Sequence, residues 1–127
     1  NDSKSTTPQS TMAAIESFYE PLIVIAGGYD KGLGFEKLAE KMAEKCKGVI
    51  LIGETSDKIA MGIRKYDNRG EVFIEKACDL REAVYFAAKR LCEGDVVLMS
   101  PGCASYDMFE NYEQRGEEFK SLVSRIV

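Results

Sequence analysis

Three short apolar runs restrict the fold of this chain more than anything else in it. Leu22-Ile23-Val24-Ile25-Ala26, Val49-Ile50-Leu51-Ile52-Gly53 and Asp95-Val96-Val97-Leu98-Met99 are nearly continuous in apolar side chains, with β-branched residues at their centres. A strand with one wet face alternates apolar and polar residues, whereas an unbroken run fits a strand covered on both faces. The stretches between them have the helical period instead. Phe35, Leu38, Met42 and Cys46 recur at that spacing, with Ala39 and Ala43 beside them, and Ile59, Ile63 and Tyr66 share one face of a helix over 56–66. Thr7-Pro8 is suited to the cap and first turn of a helix running to about Tyr19, before Pro21 breaks it. Asp79 with Glu82 three residues on gives a capping-box-like start to a helix carrying Leu80, Ala83, Val84, Ala87 and Leu91, which Gly94 closes. Val72-Phe73-Ile74, after the turn Asp67–Gly70, is a further short strand. Strand and helix alternate along the chain, so the class is α/β: a Rossmann-like open, largely parallel sheet with helices on both faces.

The totals bound the rest. The 127 residues suit one domain with its own core, and no linker, repeat or low-complexity tract divides them. A net charge of −4 without a Lys/Arg cluster argues against a nucleic-acid partner. No apolar run nears the roughly 20 residues that cross a bilayer, and the polar N-terminus lacks a signal region, so a cytoplasmic protein without a membrane partner is expected. Histidine is absent, which removes Ser-His-Asp and Cys-His chemistry. Cys46, Cys78, Cys92 and Cys103 are far apart with no C-x-x-C pair, so no metal site is expected, and Cys46 and Cys92 read as small core residues. Cys103, without a histidine partner, reads as a buried structural thiol.

The chemistry-bearing segment begins at Gly94. The run into Met99 ends in Ser100-Pro101-Gly102-Cys103-Ala104-Ser105, small residues that let backbone and hydroxyls approach a ligand closely. The aromatic, charged stretch from Tyr106 to Phe119 reads as the start of a helix, and strand–turn–helix junctions are where open α/β sheets bind ligands. Ser105 is placed to cap that helix. Phe119, Leu122, Val123 and Ile126 have the spacing of a core face, while Asp107, Asn111 and Arg115 fall on one helical face, which suits helix-stabilising pairs or surface exposure more than catalysis. Two other segments hold polar chemistry. Asp2-Ser3-Lys4-Ser5-Thr6 offers an acid, a base and three hydroxyls, which composition alone reads as a solvated tail. Gly27-Gly28-Tyr29-Asp30-Lys31-Gly32 follows a strand but has neither P-loop nor dinucleotide spacing, so a loop lysine is its plain reading.

Taken in order, Asn1–Thr6, Gly27–Lys31 and the pattern GD-V-LMSPGCAS-D-F-NYEQRG-EF resemble the C-terminal domain of the Mur ligase family, and within it the branch that adds D-glutamate. The resemblance spans nearly the whole chain, and its Ser100–Gly116 stretch is the most specific part. It implies that residues 1–127 are one D-glutamate-binding domain cut from a longer, monomeric ligase. That ligase would use ATP and Mg2+, held mainly by other domains, to activate the carboxylate of UDP-N-acetylmuramoyl-L-alanine as an acyl phosphate for attack by D-glutamate. Carried over residue by residue, Thr6, Lys31, Ser105, Tyr106 (through its backbone N–H) and Tyr112 would bind D-glutamate, with Asp2 and Lys4 beside the ATP phosphates. No residue of the domain is assigned a catalytic role. Ser5 stands where the family often has alanine, and Tyr112 where it usually has phenylalanine. Other readings are another Mur or folylpolyglutamate-type ligase, a non-catalytic domain for a small anion, and a partner-binding module. A D-N-P-R motif, which would mark a diaminopimelate adder, is absent.

Overall fold

The computed structural model describes residues 1–29, 32, 34–103 and 109–126, with side chains to 124 in the last helix. Among these residues, five helices and four strands follow in the order α1 (Pro8–Glu16), β1 (Leu22–Gly27), α2 (Glu36–Lys45), β2 (Cys46–Ile52), α3 (Ser56–Tyr66), β3 (Phe73–Lys76), α4 (Leu80–Arg90), β4 (Val96–Met99) and α5 (Tyr112–Ile126). The strands lie in the order β3-β2-β1-β4, and every pairing is parallel. The expected α/β class with an open parallel sheet is the observed one.

Strand periodicity sorts the core into two layers. Val24, Ala26, Val49 and Leu51 point to one face, against Ile15 of α1, Leu38 and Met42 of α2, and Ile59 and Ile63 of α3. Ile23, Ile25, Ile50 and Ile52 point to the other, against Leu80, Ala83, Val84 and Ala87 of α4 and Phe119 and Leu122 of α5. Burying one such aliphatic side chain contributes about 1.5–3 kcal/mol, so β1 and β2, covered on both sides, anchor the domain.

Several boundaries differ from the sequence reading. Helix α1 stops at Glu16 rather than near Tyr19, because Ser17 turns back and both its N–H and its hydroxyl donate to the Ala14 carbonyl, at 3.1 and 2.6 Å. Strand β2 begins at Cys46, with Gly48 inside it. The Phe73 ring of β3 lies over Gly48, where a Cβ would sit 2.0 Å from a ring carbon. Cys46 is buried as expected, at the start of this strand, and burial pushes its thiol up to about 12. Cys92 is exposed, not core: α4 ends at Arg90, and Leu91 takes an extended conformation that carries the chain to the surface.

The largest difference concerns α5. It starts at Tyr112, and Asn111 caps it by accepting from the Gln114 N–H at 2.8 Å, so Phe109–Asn111 lie in bends ahead of it. Arg115, read from sequence as a helix-pairing or surface residue, is 1% exposed. The reading of Ser105 as a helix cap lies outside the described residues, as does Asp107.

Candidate functional site

The site is built at the carboxyl ends of β1, β2 and β4. Strand β1 leaves the sheet at Gly27, whose φ of +108° and position 2.1 Å (for an added Cβ) from the Ile52 carbonyl oxygen leave room for no side chain. Its N–H donates to Pro101 O at 2.9 Å, tying the exit of β1 to the turn after β4. The Gly28 N–H donates to Thr55 Oγ1 at 3.0 Å, and the same oxygen lies 3.5 Å from Cys103 Sγ. The three loops that follow β1, β2 and β4 therefore meet at one end of the sheet. Cys103 is 1% exposed, a buried thiol as the sequence suggested.

Residues Asn1–Thr6 dock onto this junction and are no solvated tail. The Asp2 N–H donates to Met99 O at 2.7 Å, and Ser5 O accepts from the Gly102 N–H at 2.9 Å, so the segment runs alongside the extension of β4. Asp2 Oδ2 accepts from the hydroxyl of Ser100 at 2.7 Å and from that of Ser5. Ser100 is fully buried, and its carbonyl accepts from Thr11 Oγ1 at 3.0 Å, which adds α1 to the network. Ser3 and Ser5 are buried.

Arg115 closes the arrangement from α5. Its Nη2 donates to Ser3 O at 2.7 Å, its Nε to Ser3 Oγ at 3.1 Å and its Nη1 to Cys103 O at 3.0 Å. One guanidinium thus joins the N-terminal segment, the turn after β4 and the last helix. An open hollow of about 440 Å³ lies against this assembly, with Asp2, Ser3, Lys4, Tyr112, Glu113 and Lys120 among its walls.

The sequence-derived site residues fall into two groups. Asp2, Lys4 and Tyr112 come together around the hollow, with Lys4 exposed, Tyr112 41% exposed, and Thr6 half-buried two positions beyond Lys4. Lys31, Ser105 and Tyr106 lie outside the described residues. Sequence alone singled out neither Thr55 nor Thr11, took Ser100 only as part of the small-residue turn, and put Arg115 on a helix-pairing or exposed face. Ser100 stood in the small-residue turn and could have been found there, whereas Thr55 and Thr11 gave no local signal.

Fold and site together define a class: a parallel α/β domain whose loops converge at the carboxyl edge of the sheet, where such domains take small ligands. Residues 1–103 match the family model described as Mur ligase, glutamate ligase domain. The chain belongs to the Mur ligase family. It is 49% identical to a UDP-N-acetylmuramoylalanine–D-glutamate ligase of Caldicellulosiruptor saccharolyticus, over 99% of this chain and 27% of that protein. Proteins of the same name from Lachnospira eligens and Symbiobacterium thermophilum are 47% and 44% identical, each over 99% of this chain and 27% of their own length. The chain therefore spans about a quarter of the length of the curated relatives it matches.

Proposed function

We propose that this chain is the C-terminal, D-glutamate-binding domain of a cytoplasmic ATP-dependent ligase that joins D-glutamate to UDP-N-acetylmuramoyl-L-alanine in peptidoglycan synthesis. The observation that carries the reading is the docking of Asn1–Thr6 onto the turn after β4, through Asp2 to Ser100 and Arg115 to both Ser3 and Cys103. Two of the three segments that resemble the family are thereby side by side, and the third leaves β1 through Gly28, joined to the same turn by Thr55. The names of the relatives support the D-glutamate assignment.

The domain's contribution is orientation. The Lys31 ammonium would hold one carboxylate of D-glutamate as a point charge, and the Ser105 hydroxyl with the Tyr106 N–H the other. Thr6 and the Tyr112 ring would complete the pocket. Each charge-assisted contact would contribute about 1.5–3 kcal/mol. Holding the amine in attack geometry can remove about 7–11 kcal/mol from the barrier. ATP supplies the activation of the partner carboxylate as an acyl phosphate. Lys4 would face that phosphate, and Asp2, its Oδ2 already engaged by two hydroxyls, would present a fixed negative charge nearby. The magnesium that accompanies ATP would be held mainly by other domains.

The test is Lys31→Ala and Ser105→Ala in the complete ligase. The reading expects the KM for D-glutamate to rise about tenfold or more while that for ATP stays within about twofold. Equal rises for both substrates would count against the pocket.

A further inference from the structure

We infer that Thr55 is a positioning residue for the amino-acid pocket, one that fixes the spacing of the loops bearing Lys31 and Ser105. The inference rests on the D-glutamate reading above and adds a residue that reading does not contain. Thr55 sits at the N-cap of α3, where a threonine hydroxyl ordinarily accepts from a backbone N–H of the helix's first turn. Here it makes no such bond, although the residue is fully buried. The hydroxyl is turned away from its own helix. It accepts the Gly28 N–H at 3.0 Å and touches Cys103 Sγ at 3.5 Å, where either atom can be the donor. Gly28 is three residues before Lys31, and Cys103 two before Ser105. A single oxygen thus ties together the stems of both loops.

The geometry leaves few substitutes for this contact. Gly27 leaves β1 at φ +108° under the Ile52 carbonyl, which fixes the direction of the next peptide and aims the Gly28 N–H inward. An isosteric valine at position 55 would fill the space but offer no acceptor, so the Gly28 N–H would have to turn to water and take the loop with it. Serine would keep the oxygen and lose one methyl group. A ligand gripped from both loops is sensitive to their separation, whereas ATP and the UDP-sugar, held largely by other domains, are not.

The experiment compares Thr55→Val, Thr55→Ser and the distant core variant Ile63→Val in the complete ligase, by steady-state kinetics and by hydrogen exchange of the Gly28 amide. T55V should raise the KM for D-glutamate about tenfold while the KM values for ATP and the UDP-sugar stay within about twofold. T55S should return to within about threefold of the parent, and I63V should lower Tm without moving the D-glutamate KM. A T55V enzyme with the parent's D-glutamate KM, or with all three KM values raised together, overturns the inference and leaves the D-glutamate reading intact. If the parent enzyme does not use D-glutamate, that reading fails and exchange decides the rest. Gly28 exchanging about tenfold faster in T55V than in I63V supports the tie, and equal rates refute it. Should T55V not fold, Thr55→Ala supplies the same comparisons, because it also removes the acceptor without adding bulk.

Discussion

Arg115 shows how one side chain can fasten three segments of a fold together. Its guanidinium is 1% exposed and spends three donors on Ser3 O, Ser3 Oγ and Cys103 O. A planar fork with donors in fixed directions can reach all three at once, which a lysine ammonium on a flexible stem cannot. Arg115→Ala leaves buried carbonyl oxygens without those donors, and each loss costs about 1–3 kcal/mol. We expect it to lower stability by about 2–4 kcal/mol and to speed amide exchange in Asn1–Ser5 and around Cys103 together. Arg115→Lys should recover less than half of the loss. Parent-like exchange in both segments would mean that the guanidinium does not fasten them. Gly27 acts through backbone alone. A Cβ there meets the Ile52 carbonyl oxygen at 2.1 Å, and the φ of +108° is strained for any L side chain. Gly27→Ala should therefore cost about 2–3 kcal/mol, a Tm drop of about 8–11 °C for a chain of this length, read by thermal unfolding.

Between elements, an ion pair joins strands at the base of the sheet, at a break in register. Leu22 pairs with Cys46 but Ile23 with Gly48, so Lys47 is an extra residue in β2. Its side chain reaches the Asp95 carboxylate, 6% exposed, just before β4, and donates to Arg90 O at 3.3 Å at the end of α4. The Lys47 hydrogen bond, and then the Cys92 N–H, hold the Asp95 carboxyl below its ordinary 3.8, while the bond to Asp95 raises Lys47 above its ordinary 10.5. A depressed acid contributes stability that is complete above its unfolded value and is lost as pH falls through the folded one. A raised base contributes until pH climbs through its folded value. The pair is therefore fully effective between these limits. Asp95→Asn should lower Tm at about pH 7, and the gap to the parent should narrow as pH falls below about 4. A gap unchanged by acid would remove the ion pair from the account. At this scale most of the fold could be read from sequence, because a strand buried on both faces writes an unbroken apolar run and a helix writes its period. What stayed hidden depends on a partner element. Gly48 looks like a strand boundary until the Phe73 ring is placed over it, and Arg115 looks like a helix-pairing or surface residue until Ser3 and Cys103 reach it. Asn1–Thr6 was legible only through its family resemblance, since nothing in six polar residues says that a serine two positions in will be buried.

For the molecule as a whole, the question is how much of the proposed reaction one domain can carry. Both faces of the sheet are covered, by α1, α2 and α3 on one side and α4 and α5 on the other, so the chain has the layers a cooperative domain needs. We expect the isolated 127 residues to unfold in a single transition. Binding is a different matter. In the proposed pocket, a few charge-assisted contacts at about 1.5–3 kcal/mol each would have to offset about 4 kcal/mol or more of lost translational and rotational freedom, so we expect affinity for free D-glutamate near the millimolar range or weaker. Catalysis should be absent altogether, because orienting an amine accelerates nothing unless an activated carboxylate is presented to it. An NMR titration of the isolated chain with D-glutamate should therefore move the amides of Gly27, Gly28 and Gly102 at millimolar concentration, with no ATP consumed. The apolar groove of about 270 Å³ between α4 and α5, lined by Val84, Ala87, Leu91, Val97, Phe119 and Val123, should stay silent. Shifts gathered in that groove would move the ligand to the wrong end of the sheet, and ATP turnover by the isolated chain would show that it holds the phosphoryl chemistry assigned to its neighbours.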